Sequence, residues 1–177
     1  NVPAEGVQAV EGDPAILPLT VALADTDGSE VLSRIEIYDL PADFTLALGG
    51  RDGGPWVIDR DDGQAQAEFL DGLRAGTHQI EIIPPADFSG SVTIQVHAVS
   101  EEIDGEGEPD TELAVISVPL FFAPVNDAPV GTDNTITIDE DETYTFTAAD
   151  FGFTDADPGD ALAAVRIDSL PVAGSLT

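Results

Sequence analysis

The sequence predicts an all-β protein, an antiparallel sandwich or barrel of short strands. Three observations carry that expectation: apolar and polar residues alternate over five to eight positions at a time, turn-forming clusters separate these runs, and no stretch carries a helical stripe. In chain order the alternating runs are Leu17, Leu19, Val21 and Leu23; Ile35 and Ile37; Ile80 and Ile82; Val92, Ile94, Val96 and Ala98; and Ala114, Ile116, Val118, Leu120 and Phe122. Ile136 with Ile138, Tyr144 with Phe146, and Val165 with Ile167 continue the series. Between them lie Asp-Thr-Asp-Gly at 25–28, Gly-Gly-Arg-Asp-Gly-Gly-Pro at 49–55, Asp-Asp-Gly at 61–63, Asp-Phe-Ser-Gly at 87–90 and Asp-Gly-Glu-Gly-Glu-Pro-Asp at 104–110. Many short strands with frequent turns build sheets packed face to face.

The chain has 177 residues with 35 Asp plus Glu, five Arg and no Lys, for a formal charge of −30. Affinity for nucleic acid or for an anionic membrane comes from Lys and Arg neutralising phosphate, so neither is an expected partner. No apolar run is long enough to cross a bilayer, and no basic-then-apolar leader is present, so the chain as given reads as soluble. Without Cys or Met, and with two His, disulfides, zinc thiolate sites and iron–sulfur clusters are excluded. Hard oxygen ligands are the abundant kind. An apolar content of 42% separates the chain from acidic disordered sequences.

A shift of 130 positions superimposes residues 25–46 on 155–176 without a gap. Asp25/Asp155, Asp27/Asp157, Leu32/Leu162, Ile37/Ile167, Leu40/Leu170, Pro41/Pro171 and Leu46/Leu176 are identical, seven matches in 22 positions. Upstream, Val10-Glu11-Gly12-Asp13 matches Ile138-Asp139-Glu140-Asp141 at an offset of 128. The chain is therefore read as a tandem repeat: a complete domain over 1–125 and the first three or so strands of a second over 126–177, joined by the stiff connector Pro124-Val125-Asn126-Asp127-Ala128-Pro129. Half a domain leaves apolar faces open. The second copy is expected to be partly disordered, completed by another chain, or simply cut short.

The acidic residues concentrate in loops at strand ends, where carboxylates repel one another unless a cation intervenes. Calcium fits, since it takes six to eight hard oxygens at flexible geometry, whereas magnesium keeps its waters. The clearest candidate ligands are Asp25, Asp27 and Glu30 and their second-copy counterparts Asp155, Asp157 and Asp160, which recur at the same spacing. The alternative is a solvated acidic turn. Neither loop is an EF-hand, because Glu30 stands where the obligatory Gly belongs and the flanks read as strands. Asp59-Arg60-Asp61-Asp62-Gly63 is a weaker candidate. Sandwich geometry places alternate loops at opposite ends, so the 25–30 and 101–112 loops are expected to share one end and Glu11 and Asp87 the other, beside the connector. Asn126 and Asp127 would then join Asp155 and Asp157 in a site between the two copies, with Asp139 in the second-copy segment that matches Glu11.

Pro-Val-Asn-Asp-Ala-Pro-Val at 124–130, Asp-Thr-Asp-Gly-Ser-Glu at 25–30, Asp-Leu-Pro-Ala at 39–42 and Ile-Ile-Pro-Pro-Ala-Asp-Phe-Ser-Gly-Ser-Val-Thr-Ile-Gln-Val at 82–96 carry a resemblance over essentially the whole chain. It resembles the tandem cadherin-like and immunoglobulin-like repeats of very large bacterial surface adhesins, the secreted RTX or biofilm-associated type. The resemblance implies Greek-key sandwiches, a secreted location on the bacterial surface, and a calcium-stiffened spacer whose partners are neighbouring repeats, with any glycan or protein ligand held by an adjacent module. It also implies that the cadherin-type linker falls on Asn126 and Asp127, its paired aspartates on Asp155 and Asp157, and its first-strand glutamate on Glu11. The linker lacks the further acidic residues of animal cadherins, so one or two ions rather than three are expected there.

Two other functions are weaker. A carbohydrate- or peptide-binding module would use Trp56, the single Trp, as a stacking platform, against the plainer reading of a core tryptophan next to Val57 and Ile58. An enzyme is not expected, because His78 and His97 sit in strand patterning away from any nucleophile context.

Overall fold

β-Strands need partners to satisfy their backbone groups, and in the computed structural model most of the alternating runs of the first 125 residues find them. The structure describes residues 5–23, 29–102, 111–170 and 172–176; Asp25 and Asp27 lie outside them. The chain divides into two compact units, Asn1–Val125 and Asn126–Thr177.

The first unit is mostly β. Its strands are β1 (Val7–Val10), β2 (Ala15–Leu17), β3 (Glu30–Tyr38), β4 (Thr45–Leu46), β5 (Gly50–Arg51), β6 (Trp56–Asp59), β7 (Ile80–Ile83), β8 (Gly90–Glu102) and β9 (Thr111–Ala123). They form a six-stranded sheet in the order β1-β9-β8-β3-β6-β5 and a three-stranded sheet in the order β2-β7-β4. The inward residues predicted by alternation meet in one core: Leu17, Ile80 and Ile82 from the small sheet, Ile35, Ile37, Ile94, Val96, Val118, Leu120 and Phe122 from the large one. Phe44, Phe88 and Phe122 close one part of it edge to face, with ring centroids 4.8–5.8 Å apart.

Three features depart from the all-β, antiparallel expectation. First, β1 runs parallel to β9, Val7 opposite Leu120 and Val10 opposite Ala123, so the large sheet is mixed. Second, a helix, α1 (Gln64–Arg74), packs beside β3 and β6 and buries Leu70 and Leu73 in the core. Its apolar spacing at Phe69, Leu70 and Leu73 is helical but spans a single turn, and Gly72 interrupts it, so the alternating strands around it conceal the signal. Third, the run from Leu17 to Leu23 is a strand only as far as Leu17, because Pro18 has no N–H to offer a ladder.

A bulge explains an irregularity in β3. The β3–β8 register shifts between Leu32 and Arg34, and the extra residue, Ser33, turns its hydroxyl inward to donate to Val99 O at 3.2 Å. This lets Leu32 and Ile35, three apart, both face the core. Gly49 allows the tight return into the β5–β6 hairpin: its φ is 84° and a Cβ there would lie 2.3 Å from Val57 O.

The second unit folds differently from its sequence counterpart. Val130 and Thr154 form an isolated antiparallel bridge with reciprocal bonds of 2.8 Å, and a 3₁₀ turn spans Ala148–Phe151. The runs at Ile136, Tyr144 and Val165 form no strands among the described residues. In unit 1 the strand equivalent to 160–168 is β3, held between β8 and β6. Residues 126–177 contain no counterpart of β6 or β8, so the same pattern lacks its ladder partners. Ile37 is 1% exposed and Ile167 51%; Leu40 is 6% exposed and Leu170 74%.

This contrast is measurable. Trp56 lies in unit 1 and reports its unfolding in urea. Ile37→Ala should lower the stability read by Trp56 fluorescence by about 2–5 kcal/mol, while Ile167→Ala should shift it by less than about 0.5 kcal/mol.

Candidate metal centre

In unit 2 the loop after Thr154 brings three carboxylates together. Oxygens of Asp155, Asp157 and Asp160 all lie within 4.8 Å of one another. Short-range backbone bonding builds the cluster. Asp157 N–H donates to Asp155 Oδ1 at 3.0 Å and Asp160 N–H to Asp157 O at 3.3 Å, which coils the chain so that side chains two and three apart point to one side. Asp127 N–H donates to Asp157 Oδ2 at 2.7 Å, fixing that carboxylate from the connector, while Asn126 Nδ2 donates to Asp127 O at 2.8 Å. Asp155 and Asp157 are half-buried. No cationic side chain among the described residues pairs with them. This acidic cluster could hold a metal ion, and its donors are all hard oxygens.

The remaining candidate residues fall in both units. Asp139 is exposed in a turn, where its carbonyl accepts Glu142 N–H at 3.3 Å. In unit 1, Glu11 follows β1, and its Oε2 accepts Val125 N–H at 2.8 Å. Asp87 is exposed in the β7–β8 turn, and Gly12 packs against the backbone of Ala86, so Glu11 and Asp87 do lie near the same end of this unit. Glu30 is buried at the start of β3, where Ser100 Oγ donates to it, and Ser29 Oγ donates to Glu102 at 3.1 Å. Glu30 therefore has partners within the fold, and its proposed companions Asp25 and Asp27 are outside the described residues.

Within the weaker calcium candidate at 59–63, Asp59 has a structural role. Asp59 caps a 3₁₀ turn over Arg60–Asp62 by accepting Asp61 N–H at 2.9 Å, and the turn leads directly into α1. Arg60 reaches back to grip Asp71 on that helix, which holds the Asp71 carboxyl below its ordinary range, and donates to Leu32 O at 3.0 Å. Acid–turn sequences serve helix starts as readily as ions.

Trp56 is half-buried against the core, its indole N–H donates to Leu48 O at 2.8 Å, and the Arg51 guanidinium lies 5.9 Å from the ring centroid. Its polar edge is engaged within the fold. The His97 ring lies tilted against Tyr38, centroids 4.4 Å apart, and His97 is 3.9 Å from Glu36, which also accepts Tyr38 Oη at 3.0 Å and Arg34 Nε at 2.8 Å. Donating to Glu36 pushes the Tyr38 hydroxyl above its usual pKa. This polar cross-strand cluster was not anticipated. Its signal was available in Arg34, Glu36 and Tyr38 falling on the outward positions of one strand.

A second unanticipated group stabilises unit 2. Asp150 closes a capping box on Thr147, accepting its N–H at 2.7 Å and its hydroxyl at 2.9 Å, and also accepts Tyr144 Oη at 2.7 Å. The Thr147 backbone bond, followed by the Tyr144 hydroxyl, holds the Asp150 carboxyl below its ordinary range, and the same contact raises Tyr144.

Comparison of the chain with protein-family models, curated proteins and solved structures finds no match.

Because its folded-state pKa is depressed, Asp150 contributes stability above the unfolded carboxylate range and loses it as pH falls through the lowered folded value. A carbon-detected NMR titration should place the Asp150 midpoint below that of an ordinary aspartate, about 3.9. Tyr144→Phe should move that midpoint upward, and an unmoved midpoint would contradict the bond.

Proposed function

We infer that the chain is a calcium-rigidified spacer of a large extracellular adhesin, a structural rather than catalytic segment between other repeats of the same protein. The observation that carries this reading is the convergence of Asp155, Asp157 and Asp160 in a chain of net charge −30 with no Lys. Crowded carboxylates repel, and a divalent ion removes two charges while tying their loop together. All-oxygen donors and several carboxylates per site favour calcium over magnesium or a transition metal. Extracellular calcium modules bind with dissociation constants of about 0.1–1 mM, a range filled outside cells and not in cytosol.

The finer fold assignment belongs to the same reading. Unit 1 is a Greek-key β-sandwich of the cadherin-like or immunoglobulin-like kind, and the sequence correspondence with residues 126–177 makes the second unit the start of another. A parallel first-to-last strand pair and two sheets sharing one core support that reading, and α1 is an insertion upon it. Adhesion and biofilm formation would follow from holding a binding module away from the cell surface.

Calcium titration tests the reading. With a dissociation constant of about 0.1 mM, 10 mM calcium should stabilise the unit that binds it by about 2.7 kcal/mol relative to EDTA. Asp157→Asn should remove most of that gain, and Asp43→Asn, at an exposed acid outside the candidate set, should leave it intact. Small-angle scattering should show a narrower spread of interunit distances in calcium. A melt unchanged between EDTA and 10 mM calcium would sink the proposal.

A further inference from the structure

The β8–β9 ribbon leaves one margin open. β1 meets β9 only at Leu120–Ala123, so among the described residues no strand pairs with Thr111–Ser117 on the side away from β8. All seven residues are exposed, Leu113 to 60% and Val115 to 50%. Main-chain groups along such a margin form a template for another strand, and proteins ordinarily protect it with Lys, Pro, a bulge or a covering element. Among the described residues the open stretch has no Lys, no Pro, no bulge and no covering strand. The segment reads Thr-Glu-Leu-Ala-Val-Ile-Ser, the chain contains no Lys, and Pro119 lies beyond the open stretch. The β8–β9 register runs from Gly90 opposite Phe122 to Glu101 opposite Thr111 without a shift.

We propose that Thr111–Ser117 is a self-association edge, at which a second copy of the chain adds the same strand antiparallel about a two-fold axis through Ala114. The proposal goes beyond the spacer reading and does not depend on calcium. Centring on Ala114 pairs the whole open stretch, Thr111 opposite Ser117, Glu112 opposite Ile116 and Leu113 opposite Val115 of the second copy. Leu113 and Val115 from both copies then form one apolar strip on the outer face, an isologous contact.

Charge decides whether such a contact is tolerable in a protein this acidic. Glu112 is the single ionisable residue among the seven. In the proposed register the two Glu112 residues are four positions apart along the strands, about 13 Å, which exceeds the Debye length of about 8 Å at physiological salt. Long-range repulsion between two chains of −30 remains, so association should strengthen with added salt. A seven-residue strand pair is smaller than a standard interface of about 1,600 Å², which makes the expected dimer weak, with a dissociation constant on the order of 0.1 mM.

Sedimentation velocity on the 177-residue chain, in EDTA, tests this from about 10 μM to 1 mM protein at 0.05 and 0.5 M NaCl. The expected result is a mass rising from 18.4 kDa toward twice that value, more steeply at high salt. Leu113→Glu with Val115→Glu places carboxylates directly opposite each other and should hold the chain monomeric, with an unchanged far-UV spectrum showing that it folds. An independent arm avoids reliance on that variant. The chain has no native Cys, and the two Ala114 Cα atoms would lie about 4.5–5.5 Å apart, within disulfide reach, so Ala114→Cys should cross-link at least about tenfold faster than Thr93→Cys on β8. A monomer at 1 mM in both salts, or equal cross-linking of the two cysteine variants, overturns the proposal. A monomer that captures an extended peptide along this edge would assign it to a foreign strand and overturn self-association as well.

Discussion

Thirty-five carboxylates share the chain with five guanidinium groups, and this imbalance shapes nearly every polar contact in the molecule. Arg34, Arg60 and Arg166 each hold one acid, Glu36, Asp71 and Asp168. Arg51 serves backbone carbonyls at Leu40 and Pro41. Many other carboxylates turn to neutral donors: Ser100 for Glu30, Tyr38 for Glu36, Gln95 for Asp39, Tyr144 and Thr147 for Asp150, and main-chain amides for Glu11, Asp59 and Asp157. Neutral donors orient a carboxylate without cancelling its charge. The fold therefore keeps its acids ordered and electrically unbalanced, a combination that attracts small cations.

The two units show how much a strand depends on its neighbours. Ile37 and Ile167 occupy the same place in the repeated pattern, yet the first is sealed between β8 and β6 and the second is half open to solvent. Apolar alternation states which face a strand would bury, and a ladder partner is still needed to make it a strand. Unit 2 instead settles its backbone through one isolated bridge, Val130–Thr154, and two local devices, the Thr147–Asp150 box and the coil of Asp155 to Asp160.

Much of unit 1 was readable because its information is local. The period-two pattern from Val92 to Ala98 and from Val118 to Phe122 reappears as the inward faces of β8 and β9. The convergence of Asp155, Asp157 and Asp160 was readable for the same reason, since spacings of two and three inside a tight turn fix it. What escaped the sequence is what depends on distant contacts or competing local chemistry. The α1 helix is stabilised by burying Leu70 and Leu73 against a sheet formed elsewhere, and the Asp59 cap on the turn before it is not visible in an acidic run alone. The parallel course of β1 rests on a partner more than 100 residues away. The bulge at Ser33 breaks the simple alternation that makes strands recognisable.

The parallel pairing of β1 with β9 also governs how unit 1 responds to pulling. The chain enters at the start of β1 and leaves at the end of β9, so a stretching force drags the two strands in opposite directions along their common axis. The hydrogen bonds between Val7–Val10 and Leu120–Ala123 lie across that axis and are loaded together, in shear, instead of being peeled one at a time. Rupture then requires several bonds to fail at once, a high barrier to forced unfolding that equilibrium stability alone does not describe. Four rungs of a parallel ladder thus act as a mechanical clasp on the domain they close.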